Sequence, residues 1–167
     1  MTDLKIRTFP DPSLRRKAKR VERVTPLERK ILADMAQTMY LGNGVGLAAI
    51  QVGIDKQLIV IDVGSGLIKL INPAILNKEG VSFQEEGCLS VPEFTIKIKR
   101  ANAVLVAFLD EEGTVKQLKA EGLLARAIQH EMDHLSGILI IDYANPIRKI
   151  LAKNKLSKKA KISRRAP

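Results

Sequence analysis

Gln129-His130-Glu131-Met132-Asp133-His134 is the stretch from which the rest of the chain is read. It has the form H-E-x-x-H. On an α-helix, residues four apart lie one above the other, so His130 and His134 can direct ring nitrogens at one metal ion. Glu131, on the neighbouring edge, can reach a water on that ion without being a ligand. The flanks support a helix. Leu123, Leu124, Ala127, Ile128 and Leu135 recur at helical spacing, and Gly137 stands where a helix C-terminal glycine belongs. The chain has only two histidines, and the motif holds both. The same pattern also falls on ordinary amphipathic helices, so the metal reading needs a third ligand.

A catalytic metal site commonly has three protein ligands and an open position. Proteases with this motif take the third from a glutamate well downstream or from a histidine six residues past the second. Here position 140 is Ile and no glutamate follows Glu131; Asp142 is the only carboxylate beyond Asp133. Upstream, Glu85-Glu86-Gly87-Cys88-Leu89-Ser90-Val91-Pro92 holds the only cysteine, with Gly87 clearing space beside it. A thiolate suits a soft or borderline divalent ion. A free cysteine is more often a small buried hydrophobe, and two ligand-like histidines shift that balance.

Around these segments the chain reads as one domain of α+β class, with the first 147 residues its body and residues 148–167 a basic helix or tail. At 167 residues, 46% hydrophobic and 28% charged, it is ordinary for a globular protein, and aliphatic side chains must fill a core with 4% aromatics. No apolar run would span a bilayer, nothing resembles a signal peptide, and one cysteine excludes an internal disulfide framework. Residues 1–24 read as mostly irregular, broken by Pro10 and Pro12. Thr25-Pro26-Leu27-Glu28 reads as a capping box that starts a helix with Leu27, Ile31, Met35 and Met39 on one face, ended by Gly42 and Gly44. Residues 58–63 and 67–71 read as strands, and alternation at Ile96 and Ile98 and at Val104, Val106 and Phe108 predicts more. Asp110-Glu111-Glu112-Gly113 is a hairpin turn, and Asn145-Pro146 can cap a last helix. On that helix Ile147, Ile150 and Leu151 are expected to pack on the body. The net charge of +10 is uneven: one cluster spans residues 15–23, and no acid follows Asp142. Such ends favour polyanions, nucleic acid first.

Three segments then carry a resemblance. Gly44-Val45-Gly46-Leu47-Ala48-Ala49-Ile50-Gln51, Glu86-Gly87-Cys88-Leu89-Ser90 and Gln129-His130-Glu131-Met132-Asp133-His134 resemble the three motifs of the peptide deformylases, in the same order. Phe9-Pro10-Asp11-Pro12-Ser13-Leu14-Arg15 resembles the start of that family. The resemblance implies antiparallel strands wrapped around a central helix that carries the histidines. It implies removal of the formyl group from the N-terminal formyl-methionine of nascent polypeptides in the cytoplasm. It implies Cys88, His130 and His134 as metal ligands, Glu131 as general base, and Gln51 with the Leu89 N–H at the formyl oxygen. Val45, Gly46, Leu123 and Ala127 match positions lining the substrate, with Glu86 walling the pocket or supporting Cys88. Ferrous iron is the implied ion, and zinc, nickel or cobalt can occupy the same donors. Asn43 and Arg126 depart from the family pattern, Arg126 standing where an apolar residue is usual. The basic tail suggests contact with ribosomal RNA and none with membrane. Two other classes compete, a zinc endopeptidase and a nucleic-acid module with a structural metal. The first lacks its downstream ligand, and the second lacks a fourth.

Overall fold

The structure, a computed structural model, describes residues 4–163, with side chains in the last helix through residue 157. The first residues of the irregular N-terminal segment and the tail cations Arg164 and Arg165 lie outside the described residues, as do the side chains of Lys158, Lys159 and Lys161. The elements run α1 (Pro26–Leu41), β1 (Gly46–Ala48), β2 (Leu58–Ile61), β3 (Ile68–Glu79), β4 (Ser82–Cys88), β5 (Val91–Arg100), β6 (Ala103–Leu109), β7 (Val115–Glu121), α2 (Gly122–Leu135) and α3 (Pro146–Ser163). Short 3-10 helices occupy Pro12–Arg15, Ala49–Val52 and Ile140–Tyr143. All named strand pairs are antiparallel: a sheet in the order β1-β2-β3-β6-β7 and a β4-β5 hairpin.

The capping box at Thr25 forms as the sequence predicts: the Thr25 hydroxyl accepts from the Leu27 N–H, and the Thr25 N–H donates to Glu28. The buried face of α1 carries Leu32, Met35 and Met39, while Leu27 is exposed. Strand β2 is apolar at every position because both its faces are covered. Ile59 and Ile61 pack with Ala125 and Ile128 of α2 in one cluster; Leu58 and Val60 pack with Leu32, Met35 and Met39 of α1 in another. The helix α2 is therefore central, with sheet against one side and the β4-β5 hairpin near the other. Its Gln129 fastens it to the β5-β6 turn, accepting from the Ala101 N–H and donating to the Ala101 carbonyl. Gly137, just past its end, has φ +74 and lies so close to the chain that a Cβ would meet the Arg15 carbonyl oxygen at 2.6 Å.

Three expectations change. Strand β3 runs on to Glu79, well past residue 71, because its second half pairs with β6 across two register shifts. Residues 82–88, left without an assignment in the sequence, form β4. The third concerns α3, capped by the Asn145 side chain on the Arg148 N–H at 2.9 Å. Ile147, Ile150 and Leu151 do not pack on the body; they are 74%, 59% and 64% exposed. The helix docks instead through Ala152 and Leu156, in a cluster with Leu14, Ile96 and Ile140.

Candidate metal centre and active site

The helix α2 presents His130 and His134 one turn apart, with ring centroids 5.0 Å apart and planes at 70°. Cys88 closes β4 beside a register shift between Glu86 and Cys88, which turns its sulfur toward the helix. The Sγ lies 3.2 Å from His134 Nε2. One sulfur and two imidazole nitrogens thus converge, the three atoms within 4.8 Å of one another. This donor set fits a borderline divalent ion. Burial keeps His134 neutral, the form in which imidazole can ligate. Burial also works against a charged His130, but Cys88 and Glu86 outweigh it and hold its proton more tightly.

Glu131 is buried on the same helix, and its Oε2 has no hydrogen-bond partner. Burial pushes its pKa up to about 7, helped by the charge of Glu86 and opposed by His130. Gly46 makes room for it: a Cβ there would meet Glu131 Oε1 at 2.5 Å. A carboxylate oxygen without a donor, beside three converging ligand atoms, is a group built to meet a water or a substrate.

The two histidines are supported differently. The His130 Nδ1 lies 2.9 Å from Glu86 Oε2, whereas His134 Nδ1 has no partner and the ring is held by burial and by Cys88 Sγ at its Nε2. Glu86 in turn holds Arg100 in a two-point pair, Nε at 2.8 Å from Oε1 and Nη2 at 2.9 Å from Oε2. Arg126 Nη1 reaches Glu86 Oε1 at 2.5 Å, and Arg100 Nη1 continues to Asp133 at 2.7 Å. Burial raises the Glu86 pKa, yet Arg100 and His130 bring it down to about 2. The carboxylate of Glu86 therefore touches His130 rather than Cys88, and Glu86 also lines the cavity.

A cavity of about 490 Å³ opens over these groups. Val45, Gly46, Gln51, Glu86, Leu89, Leu123 and Ala127 line it with Cys88, His130 and Glu131, while His134 is buried behind them. Asn43 and Arg126 line it too. The Gln51 amide is fixed in one sense: its Oε1 accepts from the Ala48 N–H at 2.8 Å, which turns Nε2 toward Cys88 Sγ at 3.7 Å and Ser90 Oγ at 3.2 Å. Leu89 stands in the two-residue turn between Cys88 and Val91. Sequence reasoning missed Arg100, Asp133 and Ser90. For Arg100 a signal existed: alternation along Lys97-Ile98-Lys99-Arg100 puts it on the buried face with Ile96 and Ile98.

A Cys–His–His donor set with a buried glutamate, on a helix enclosed by antiparallel strands, defines a class first: a metal-dependent hydrolase. The polypeptide deformylase family model matches residues 3–150. The chain is 54% identical over 137 residues to the peptide deformylase of Caldanaerobacter subterraneus subsp. tengcongensis, covering 82% of this chain and 86% of the relative. Its fold matches the crystal structure of a peptide deformylase from Legionella pneumophila with a TM-score of 0.92 at 40% identity, covering 99% of this chain and 100% of the other. It matches that of the Ehrlichia chaffeensis peptide deformylase in complex with actinonin with a TM-score of 0.92 at 37% identity, covering 95% and 98%. The chain belongs to the peptide deformylase family. It is an enzyme that removes the N-formyl group from the N-terminal formyl-methionine of newly synthesised proteins, releasing formate. Among the described residues no helix is long and apolar enough to cross a membrane.

Proposed function

We propose that Cys88, His130 and His134 hold one divalent ion and that Glu131 handles the proton of the hydrolysis. The observation that carries this reading is the convergence of the three ligand atoms within 4.8 Å beside the unpartnered, buried Glu131 oxygen. When bound, such an ion acts as a Lewis acid and lowers the pKa of its water, to about 7 in zinc sites. Glu131 takes the proton of the attacking water and delivers it to the leaving amine nitrogen. Gln51 Nε2, preset by Ala48, and the Leu89 N–H donate to the formyl oxygen as it gains charge. Val45, Leu123 and Ala127 receive the methionine side chain, with the Gly46 backbone alongside the peptide. Ferrous iron is the ion favoured by the family resemblance, and the donor set also admits zinc, nickel or cobalt.

The reading extends to a cytoplasmic enzyme meeting its substrate at the ribosome. Support comes from α3, which carries Arg148, Lys149, Lys153 and Lys155 together with exposed Ile147, Ile150 and Leu151. The catalytic core of the proposal is tested with Glu131→Gln. It is expected to keep stoichiometric metal and lose formate release by ~10²–10⁴-fold. A metal-loaded variant with near wild-type turnover would remove Glu131 from the role.

A further inference from the structure

Arg126 lines the substrate cavity, yet its guanidinium is buried and turned away into a polar web. Nη1 donates to Glu86 Oε1 at 2.5 Å and to the Ile98 carbonyl at 3.1 Å; Nη2 donates to the Ser82 carbonyl at 3.0 Å and to Ser82 Oγ at 2.7 Å. Its Nε is buried without a partner, so the head is held by these four bonds. Glu86 does not need it for geometry, because Arg100 already grips both its oxygens. What Arg126 adds is charge. Glu86 and Asp133 contribute two carboxylates, and Arg100 and Arg126 two guanidinium groups, so these four side chains balance apart from His130; without Arg126 the same set would carry one net negative charge. That charge would sit on the carboxylate that touches His130, one bond from the donors of the ion.

We propose that Arg126 is a tuning residue for the metal: by sharing Glu86 with Arg100 and His130 it withdraws negative charge from the support of His130 and loosens the hold on a divalent ion. A fixed cation near a cation site disfavours occupancy. Losing a partner that touches a ligating histidine costs about 10–100-fold in metal affinity, which sets the scale for a charge change one contact further back. The inference rests on the reading of Cys88, His130 and His134 as ligands.

The test is a cobalt(II) titration of the metal-free full chain, followed by visible absorption and by the rate of loss to a chelator. Arg126→Met keeps an apolar chain of similar length along the cavity and removes the charge. Its cobalt affinity is expected to rise roughly tenfold, while Arg126→Lys, which keeps the charge, stays near wild type. A purely structural role for Arg126 predicts the opposite sign, because freeing Glu86 would weaken the site. An affinity for Arg126→Met that is unchanged or lower overturns the proposal. Arg126→Gln, neutral and still able to donate toward Ser82, gives the same reading if the methionine variant does not fold. Absence of sulfur-to-cobalt absorption in the wild type would instead sink the ligand assignment, so the two failures are distinguishable.

Discussion

Two carboxylates in this molecule end at the same acidity by the same means and serve different helices. Glu86 and Asp142 are both raised by burial and both brought down to about 2 by hydrogen-bond donors, Arg100 and His130 in one case, Arg15, the Leu139 N–H and Lys149 in the other. Glu86 stands behind the central helix α2, through His130. Asp142 joins the N-terminal segment to the first turn of α3, through Arg15 and Lys149. The difference is solvent. The side chain of Glu86 is 5% exposed and that of Asp142 is 24%. In water-excluded surroundings, removing one partner strands the others, while near the surface water and salt take over the lost contact. The same pair of charges is thus a rigid part of the site in one place and an adjustable joint in the other.

The largest effects are expected at the three proposed donors, of which Glu86 touches His130. Cys88→Ala, His130→Ala and His134→Ala are each expected to lose stoichiometric metal and all measurable formate release, since two donors are too few to retain the ion. Elemental analysis of the purified variants checks this. Next comes Glu86→Gln. It leaves Arg100 and Arg126 buried with half their compensation, so unfolding should become easier by about 3–5 kcal/mol. Metal affinity should fall by roughly 10–100-fold as His130 loses its support. Denaturant titration and a chelator competition read the two effects separately.

At Asp142 the effects shrink. Asp142→Asn is expected to cost about 1–2 kcal/mol, less than Glu86→Gln, and to leave hydrolysis of a short formyl peptide unchanged. Its sign with pH is fixed. The folded pKa of about 2 lies below the ordinary 3.8, so the contribution is complete above pH 3.8 and is lost as the pH falls through 2. Stability curves of wild type and Asp142→Asn should therefore converge across that window, and a gap that widens on acidification would contradict the pairing. Smallest of all on catalysis is deletion of the residues after Lys149, which should not alter short-peptide turnover. It should reduce co-sedimentation with ribosomes at low salt, and co-sedimentation equal to that of the full chain would exclude α3 as the docking element.

Local signals made one part of the molecule legible and left the other dark. The capping box at Thr25, the helical face around His130 and His134, and the hairpin at residues 110–113 are written in near neighbours, and the structure has them where the spacing put them. The network behind His130 is written across distant segments. Glu86 meets Arg100, Arg126 and His130, which lie 14, 40 and 44 residues along the chain, and no period or motif announces such a meeting. Strand β4 lacks the apolar alternation by which a strand is read: Gln84 and Glu85 are exposed and polar, and the one buried side chain beside them is Glu86, in an ion cluster. In α3 the apolar spacing is present but points away from the body. Ile147, Ile150 and Leu151 read as a packing face, but the body meets the helix a turn further on, at Ala152 and Leu156, and the earlier apolar residues stay in solvent.

On the proposed reading one ion, held by Cys88, His130 and His134, makes α2 catalytic. The most direct test is anaerobic purification with metal analysis, followed by formate release from a formyl-methionyl peptide before and after chelation. The account predicts one divalent ion per chain, loss of formate release on removing it, and recovery on adding ferrous iron back. Undiminished formate release from fully metal-free protein would contradict it.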